Sequence, residues 1–451
     1  MKQMQRLESL GLFDARVPRY TSYPTAPVFT TQTGSPFQQE QLSGLNPAQP
    51  VSVYIHIPFC ERLCWFCACR TQGTKTLGPV ESYLETLESE LALMRNILPQ
   101  GVRMGRLHWG GGTPTILPPD MIHRLAGAVK AVIPPTDDWE FSVEIDPTMV
   151  DRARIAALAD EGMNRASIGI QDFDPLVQAS IGRIQPFDVT RTCVNDLRDA
   201  GIRSLNADLV YGLPHQTEAR LVDTVHKVLD LAPDRIALFG YAHVPWMSKR
   251  QKLIDELALP GERARYGLAE TAAELFTDAG FAAIGIDHFA RSDDELCRAA
   301  RSGRLRRNFQ GYTADDCPVL IGLGASSISR LPGGYVQNAP ATAAYAQRIA
   351  AGELAGSRGH VLSEDDRLRA RAIEMLMCDL TLNIPALSSE FGPDADRLQP
   401  IHRQVAARFD EFVSLDDDAL SIRQEGKPLT RIIASAYDAY SDIGAVYSQA
   451  S

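Results

Sequence analysis

Three cysteines form a C-x3-C-x2-C run, and their spacing is the clearest chemical signal in the chain. They are Cys60, Cys64 and Cys67, and they follow a short apolar segment at residues 51–59. Three thiolates on one loop can hold three irons of a cubane cluster, whereas electron-transfer clusters usually have four cysteine ligands. The fourth iron would then be open to a molecule that chelates through an amine and a carboxylate. The spacing therefore indicates a cluster that does chemistry on a bound ligand.

Other interpretations of this run remain open on spacing alone. Structural zinc usually has four nitrogen or sulfur ligands, often from two knuckles. Cys69 could supply a fourth ligand, and a disulfide is a further alternative. Four more cysteines are isolated in the sequence: Cys193, Cys297, Cys317 and Cys378. Because no second knuckle is present in the sequence, the open iron–sulfur site is the favoured interpretation.

Composition limits the classes of protein to which the chain can belong. Its 451 residues, 45% hydrophobic and 22% charged, predict a large α/β domain with appendages. The net charge of −11 argues against nucleic acid as a partner. No apolar run approaches the roughly 20 residues of a membrane span, and the N-terminus lacks an apolar signal core. We therefore expect a cytoplasmic protein, and nothing in the sequence demands more than a monomer.

Apolar runs alternate with helical patterns along the first two thirds of the chain. The expected strands lie near residues 51–57, 105–109, 139–145, 165–170, 204–210 and 235–241. Repeated βα units predict a parallel sheet, either doubly wound or wrapped as a barrel. A further strand is expected at 283–289, a linker at 351–359 and a separate helical domain from about residue 361.

Polar and glycine residues cluster where these strands end, which favours the barrel because barrel enzymes carry their sites at that face. The ends are marked by the cysteine loop, Gly110–Gly112, Glu144, Gln171, Asp208 and His243. In the third strand Glu140, Ser142 and Glu144 alternate with apolar residues. One wet face of an edge strand would give the same pattern. Inside a barrel these side chains would point into the lumen, where a carboxylate could pair with a ligand amine.

The cysteine loop followed by Gly-Gly-Gly-Thr-Pro resembles radical S-adenosylmethionine enzymes. Further stretches resemble one branch, the oxygen-independent coproporphyrinogen III oxidases. These stretches are residues 18–25 (Pro-Arg-Tyr-Thr-Ser-Tyr-Pro-Thr), 56–60, 171–173, 208–214, 287–291, 307–313 and 324–329. The resemblance implies a partial (β/α)6-type radical-SAM barrel with an N-terminal arm and a small, mainly helical C-terminal domain. The domain boundaries we expect are 1–48 for the arm, 49–290 for the barrel core, 291–358 for an extension closing the site and 359–451 for the C-terminal domain.

The resemblance also implies the chemistry. Cys60, Cys64 and Cys67 would hold a [4Fe–4S] cluster, and S-adenosylmethionine would chelate its open iron. Reductive cleavage would give a 5′-deoxyadenosyl radical that takes a hydrogen atom from a propionate. Loss of CO2 and one electron would leave a vinyl group, and two rounds would convert coproporphyrinogen III to protoporphyrinogen IX. Reduced flavodoxin or ferredoxin is the expected electron donor.

A second S-adenosylmethionine is implied beside the first, with contacts carried over residue by residue. Residues matched to the cluster-bound molecule are Tyr54, Gly111, Glu144 and Ile328. Residues matched to the second molecule are Phe66, Gly112, Thr113, Gln171, Arg183, Asp208 and Ala242. Tyr54 and Cys69 are expected to be catalytic, Cys69 without being a cluster ligand. Gly240 departs from the family pattern, in which an asparagine is expected.

The four propionates of the expected substrate need cations despite the acidic chain. Candidates are Arg19, Arg291, Arg306 and Arg307, with Tyr20 and Tyr23 able to flank a tetrapyrrole. Surface arginines would look the same in sequence. Three rival functions remain: a heme chaperone on the same scaffold, a radical methyltransferase, and a redox sensor without turnover.

Overall fold

The structure is a computed structural model that describes residues 2–441 and 447. The chain divides into two compact units. The larger unit comprises residues 29–260 and 317–361, and the smaller comprises residues 1–28, 261–316 and 362–451. Within the described part of the chain, no helix combines the length and apolar character that a membrane span requires.

Ten strands of the larger unit lie in one sheet. They are β1 Val51–Ile57, β2 Met104–Gly111, β3 Pro135–Ile145, β4 Arg165–Gln171, β5 Ser204–Tyr211, β6 Arg235–Gly240, β7 Leu320–Leu323, β8 Ile328–Leu331, β9 Gly334–Asn338 and β10 Gly356–Val361. Their spatial order is β10-β9-β8-β7-β1-β2-β3-β4-β5-β6. Strands β1 to β6 are parallel neighbours in chain order, which confirms the six predicted βα strands.

Helices connect these parallel strands, as crossover connections require. The helices of the larger unit are Ser35–Ser43, Gly78–Ile97, Pro119–Val132, Arg152–Asp160, Pro175–Ser180, Phe187–Asp199, Glu218–Asp230 and Thr342–Ala350. Gly162 and Gly201 follow two of these helices with φ of +93° and +87°. Both adopt the left-handed conformation in which helices commonly end.

Side chains of the parallel strands alternate between two faces. In β3, Phe141, Val143 and Ile145 are fully buried on one face, while Glu140 and Glu144 belong to the other. Glu140 lies between Arg106 of β2 and Arg165 of β4, with ion-pair distances of 3.4 and 3.3 Å. The polar face of the strands is therefore a shared interior surface, as a partial barrel predicts.

Two segments differ from the predicted pattern. The expected linker at residues 351–359 contains most of β10, which pairs antiparallel with β9 and extends the sheet. Its glycines are required by close packing: a Cβ on Gly359 would lie 2.1 Å from the carbonyl oxygen of Tyr335. The expected strand at 283–289 is instead a hairpin of Ala282–Ile284 and His288–Ala290, because Gly285 adopts a φ of +55° between them.

The smaller unit combines helices with short antiparallel strands. Its helices are Lys2–Ser9, Glu262–Asp278, Glu295–Arg301, Glu364–Asp379, Ile384–Phe391, Gln399–Arg408 and Thr430–Ser435. Its remaining strands are Arg306–Asn308, Gly311–Thr313, Thr381–Asn383, Val413–Leu415 and Ala419–Ile422. Leu12 and Tyr20 of the arm pack into the same core as Leu376 and Tyr437.

Candidate active site

Each of the three thiols in the C-x3-C-x2-C run accepts a hydrogen bond. The donors are the Thr113 hydroxyl to Cys60 at 3.6 Å, the Arg183 guanidinium to Cys64 at 3.5 Å and the Cys69 amide to Cys67 at 3.4 Å. Hydrogen bonds to sulfur and nearby charge tune iron–sulfur clusters. Three sulfurs, each with a donor and one beside a cation, form a donor set that fits a [4Fe–4S] cluster with one open iron.

The thiols suit a single ion or a disulfide less well. All eight cysteines are free. The sulfur atoms of Cys60, Cys64 and Cys67 do not all lie within 4.8 Å of one another. Tetrahedral zinc would bring its sulfur ligands to about 3.8 Å apart. The wider spacing favours a polynuclear centre over the zinc alternative.

The thiols of the loop differ in acidity. Burial raises the pKa of Cys60 to about 11, although the Thr113 hydroxyl opposes this shift. The pKa of Cys67 falls to about 6, chiefly because the Cys69 side chain hydrogen-bonds its thiolate. The same contact raises the pKa of Cys69. Cys69 therefore supports the charged form of Cys67, a role that spacing could not reveal.

Arg183 supplies the cation beside Cys64 and is itself firmly held. Its guanidinium pairs with Asp146 at 3.0 Å, donates to the carbonyl of Gly169 at 2.8 Å and to Gln185 at 3.1 Å. Arg183 and Asp146 are both buried. Asp146 directly follows β3, so the residue after the strand that carries Glu144 fixes the arginine that faces Cys64.

The glycine run at the end of β2, Gly110–Gly112, is required by close packing. Gly111 has a φ of +110°, and a Cβ there would lie 2.4 Å from the His56 ring. A Cβ on Gly112 would lie 2.4 Å from the carbonyl oxygen of Phe59. The amides of Gly112 and Thr113 donate to Ile57 and Phe59, both at 2.8 Å. This turn is thereby fixed against the start of the cysteine loop.

Tyr54, His56 and His108 form a linked aromatic group inside the sheet. His56 Nε2 lies 3.0 Å from the carbonyl oxygen of Arg70 and must donate to it. Nδ1 of the neutral ring therefore accepts from the Tyr54 hydroxyl at 3.0 Å. Burial lowers the pKa of His56, which keeps the ring neutral. The Tyr54 ring stacks on His108 with centroids 5.7 Å apart, so Tyr54 has a fixed position.

Glu144 is the carboxylate at the centre of this group. Its oxygens accept from the Gly111 amide at 3.0 Å and lie 3.4 Å from His108 Nε2. Burial disfavours its charge, yet the contacts with His108 and Gly111 keep its pKa below the usual value. Its side chain remains 39% exposed. An ionised carboxylate that is still accessible can bind a ligand ammonium.

A second polar group lies on β4 and β5. The Ser167 hydroxyl donates to Asp208 at 2.8 Å, and Asn206 donates to Asp208 at 2.7 Å. Glu144 pairs in register with Ser167, so this group adjoins the first along the sheet. Gln171 ends β4 at a φ of +69°, an uncommon conformation for a residue with a side chain. Asp208 and Gln171 therefore lie on neighbouring strands.

The remaining predicted site residues lie around the cysteine loop and β8. The carbonyls of Phe66 and Ala242 both accept from Gln251, at 2.7 and 3.1 Å. Ile328 begins β8, and the single strand β7 separates β8 from β1, which carries Tyr54. Gly240 ends β6 in register with Tyr211. Ala242 therefore lies close to Phe66 through a shared partner, whereas Ile328 belongs to the opposite side of β1.

Several residues of this site were not singled out from the sequence. They are His108, Ser167 and Gln251. A signal existed for His108 and Ser167, since both occupy the inward positions of alternating strands. None existed for Gln251, because its partner Phe66 is distant in sequence.

The candidate cations for propionates belong to the smaller unit and differ in their surroundings. Arg307 is buried, 3.7 Å from Asp287, and its guanidinium lies 4.4 Å from the ring centre of Tyr312. Arg291 lies over Phe281 at 5.5 Å. Arg306 is partly exposed near Glu374 at 3.9 Å. The Tyr20 hydroxyl donates to Asp438 at 3.0 Å, and Tyr23 accepts from the Ala439 amide at 2.9 Å.

Comparison with known proteins agrees with this geometry. Residues 54–228 match the model of the radical SAM superfamily. The chain is 61% identical to an oxygen-independent coproporphyrinogen III oxidase of Cereibacter sphaeroides and 54% identical to one of Paracoccus denitrificans, with all of each chain covered. The solved structure of coproporphyrinogen III oxidase from Escherichia coli, described as a radical SAM enzyme, superposes with a TM-score of 0.90 at 34% identity. That superposition covers 94% of this chain and 100% of the other. The chain belongs to the oxygen-independent coproporphyrinogen III oxidase family of the radical SAM superfamily, whose members use a [4Fe–4S] cluster and S-adenosylmethionine.

Proposed function

We propose that this chain converts coproporphyrinogen III to protoporphyrinogen IX, a step of heme biosynthesis, by oxidative decarboxylation of two propionate side chains. Each round removes CO2, one hydrogen atom and one electron from a propionate and leaves a vinyl group. One observation carries the proposal: three hydrogen-bonded thiols on one loop lie close to the accessible carboxylate of Glu144, because the turn that holds Glu144 through the Gly111 amide also places the Thr113 hydroxyl on Cys60. In a chain of this family, that arrangement fits radical chemistry on a bound cofactor.

The cluster ligands in this proposal are Cys60, Cys64 and Cys67. When bound, the [4Fe–4S] cluster and S-adenosylmethionine supply the radical that removes the hydrogen atom. Arg183 balances the negative charge beside Cys64, because its guanidinium is 3.5 Å from that sulfur. Cys69 stabilises the Cys67 thiolate and is not itself a ligand.

Glu144 orients the ammonium of the cluster-bound S-adenosylmethionine, with Tyr54, Gly111 and Ile328 as further contacts. Gly111 also holds the carboxylate through its amide, at 3.0 Å. The stack of Tyr54 on His108 closes this side of the interior against water, which would quench a radical. His56 positions Tyr54 by accepting a hydrogen bond from the Tyr54 hydroxyl.

A second S-adenosylmethionine occupies the neighbouring polar group. Asp208 faces its ribose or ammonium. Gln171 ends the neighbouring strand β4, and Arg183 contacts that strand through the carbonyl of Gly169. Phe66, Gly112, Thr113 and Ala242 complete the contacts. Equilibrium dialysis with radiolabelled S-adenosylmethionine tests this: two molecules per cluster are expected, and Asp208→Asn is expected to reduce the number to one. One molecule per chain in the unmodified protein would contradict the second site.

A soluble one-electron carrier, such as reduced flavodoxin or ferredoxin, supplies the electron, and the chain works as a monomer. Sedimentation equilibrium of the reconstituted protein checks the monomer. A mass near twice the 49.5 kDa of one chain would refute it.

The test of the function is anaerobic turnover of the reconstituted protein with S-adenosylmethionine, dithionite and coproporphyrinogen III, with products followed by mass. Two successive decarboxylations are expected. Cys60→Ala should abolish them and lower the iron content, whereas Cys317→Ala, outside the cysteine loop, should not. Cys69→Ala should retain most of the iron while losing turnover.

Each rival function predicts a different result in this experiment. Cleavage of S-adenosylmethionine with methyl transfer, and no decarboxylation, would favour a methyltransferase. Retention of heme on the protein without cleavage would favour a chaperone. Reversible cluster reduction without turnover of any substrate would favour a redox sensor.

A further inference from the structure

The segment after β6 exposes several large apolar side chains within a few residues. Residues 246–253 read Trp-Met-Ser-Lys-Arg-Gln-Lys-Leu. Trp246 is 55% exposed, Met247 69% and Leu253 60%. Single exposed apolar residues are ordinary, but a group of them marks a surface that contacts a partner. We call residues 246–253 the post-β6 segment.

Side chains of the post-β6 segment fasten it to the cysteine loop. Ser248 donates to the carbonyl of Cys67 at 2.9 Å. Arg250 donates to the carbonyl of Cys69 at 3.0 Å and to Thr71 at 2.9 Å. Whatever contacts the exposed residues of this segment therefore lies next to the loop that carries the three thiols.

The charge of this surface is opposite to that of the whole chain. Residues 60–79 and the post-β6 segment contain six cationic residues, Arg62, Arg70, Lys75, Lys249, Arg250 and Lys252, and one carboxylate, Glu61. The chain as a whole carries −11. The next carboxylates along the chain, Asp255 and Glu256, bring the count to three carboxylates against six cations, so a cationic excess remains. The surface is therefore locally basic.

We propose that the post-β6 segment and residues 60–79 form the docking surface for an electron-carrier protein with an acidic face. The proposal rests on the proposed function, because that reaction consumes one electron per cleavage and the carrier is oxidised by one electron in supplying it. Electron-transfer encounters use small interfaces, and complementary charge speeds their formation. Exposed apolar residues beside exposed lysines provide such an interface directly over the cysteine loop.

The substrate is the other anion that could use these cations. Small molecules bind in concave sites that bury most of their surface. Trp246, Met247 and Lys249 are instead open to solvent, which favours the flat face of a protein.

The test measures binding of flavodoxin, as an acidic FMN-protein probe, to the anaerobic holoenzyme. The double variant Lys249→Glu/Lys252→Glu is compared with Arg203→Glu, which reverses an exposed cation before β5, at the opposite end of the strands. We expect the double variant to bind flavodoxin at least ~10-fold more weakly at low salt, with the difference shrinking as ionic strength rises. Arg203→Glu should bind like the unmodified enzyme.

Turnover under two reductants separates this proposal from the function. The double variant should lose turnover driven by reduced flavodoxin and keep turnover driven by dithionite. Unchanged flavodoxin affinity would overturn the docking surface while leaving the function intact. A raised KM for coproporphyrinogen III with dithionite would also overturn it and assign the lysines to the substrate. Failure of the unmodified enzyme to turn over with dithionite would instead refute the function itself.

Discussion

The hydroxyl of Tyr83 donates a hydrogen bond to the carbonyl oxygen of His56 across 2.8 Å. The hydroxyl oxygen of Tyr83 in turn accepts a hydrogen bond from the amide of Ala325, also at 2.8 Å. Tyr83 belongs to the helix Gly78–Ile97 that follows the cysteine loop. One buried side chain thus joins the strand before the loop to the turn before Ile328, and both segments adjoin residues of the proposed cofactor site.

Removing this hydroxyl is expected to destabilise the protein. Tyr83→Phe leaves the His56 carbonyl and the Ala325 amide without a partner in a buried place, so unfolding should become easier by about 1–3 kcal/mol. Urea denaturation measures the change. Ser89→Ala, on the exposed face of the same helix, is the control and should unfold like the original. Equal midpoints for both variants would disprove the bridging role.

Glu90 is expected to make stability depend on pH. It is fully buried and accepts from Gly324, Asn338 and Tyr345 at 2.8 Å each. Burial raises its pKa to about 7. The folded state then holds a proton that the unfolded chain releases, so stability falls as the pH rises from about 4.5 to 7.

The Glu90→Gln variant isolates this contribution. Its loss of stability between pH 5 and pH 8 should be smaller than that of the original by roughly 2–4 kcal/mol, because the amide does not titrate. Glu88→Gln, on the same helix and partly exposed, should keep the original pH profile. Parallel profiles for Glu90→Gln and the original would show that Glu90 does not titrate in this range.

Glu144→Gln is expected to weaken the binding of S-adenosylmethionine by at least ~10-fold, about 1.4 kcal/mol. The amide keeps the size of the side chain but loses the charge that attracts an ammonium. Anaerobic calorimetry measures the affinity. Asp137→Asn, at the fully exposed beginning of the same strand, should leave the affinity unchanged. Unchanged affinity in Glu144→Gln would remove this residue from the site.

Arg307 is expected to act mainly in the stability of the smaller unit. Its guanidinium holds the pKa of Asp287 well below the usual range, against the effect of burial. Arg307→Met leaves Asp287 buried without this partner, so it should cost about 3–5 kcal/mol. Thermal unfolding checks this, with Arg306→Met, which is partly exposed, as the milder comparison. Equal losses in the two variants would argue against the buried pair.

The cysteine spacing, the six βα units and the family were all accessible from the residues alone. Helix and strand periods are local, so an apolar run followed by a glycine stop determines the element with little help from distant residues. Alternation in β3 was likewise sufficient to place Glu140 and Glu144 on one face, because a strand turns successive side chains to opposite faces. That this face is interior was decided by the neighbouring strands.

Only the tertiary structure decided which residues meet. The strand Gly356–Val361 carries two glycines and resembles a linker in sequence, yet it pairs with β9. Its glycines are needed because neighbouring atoms occupy the space that a Cβ would fill. Arg183 reaches Cys64, and Gln251 reaches Phe66, across more than one hundred residues of sequence. Such pairs depend on how the loops at one end of the sheet converge, and a local pattern contains no information about that convergence.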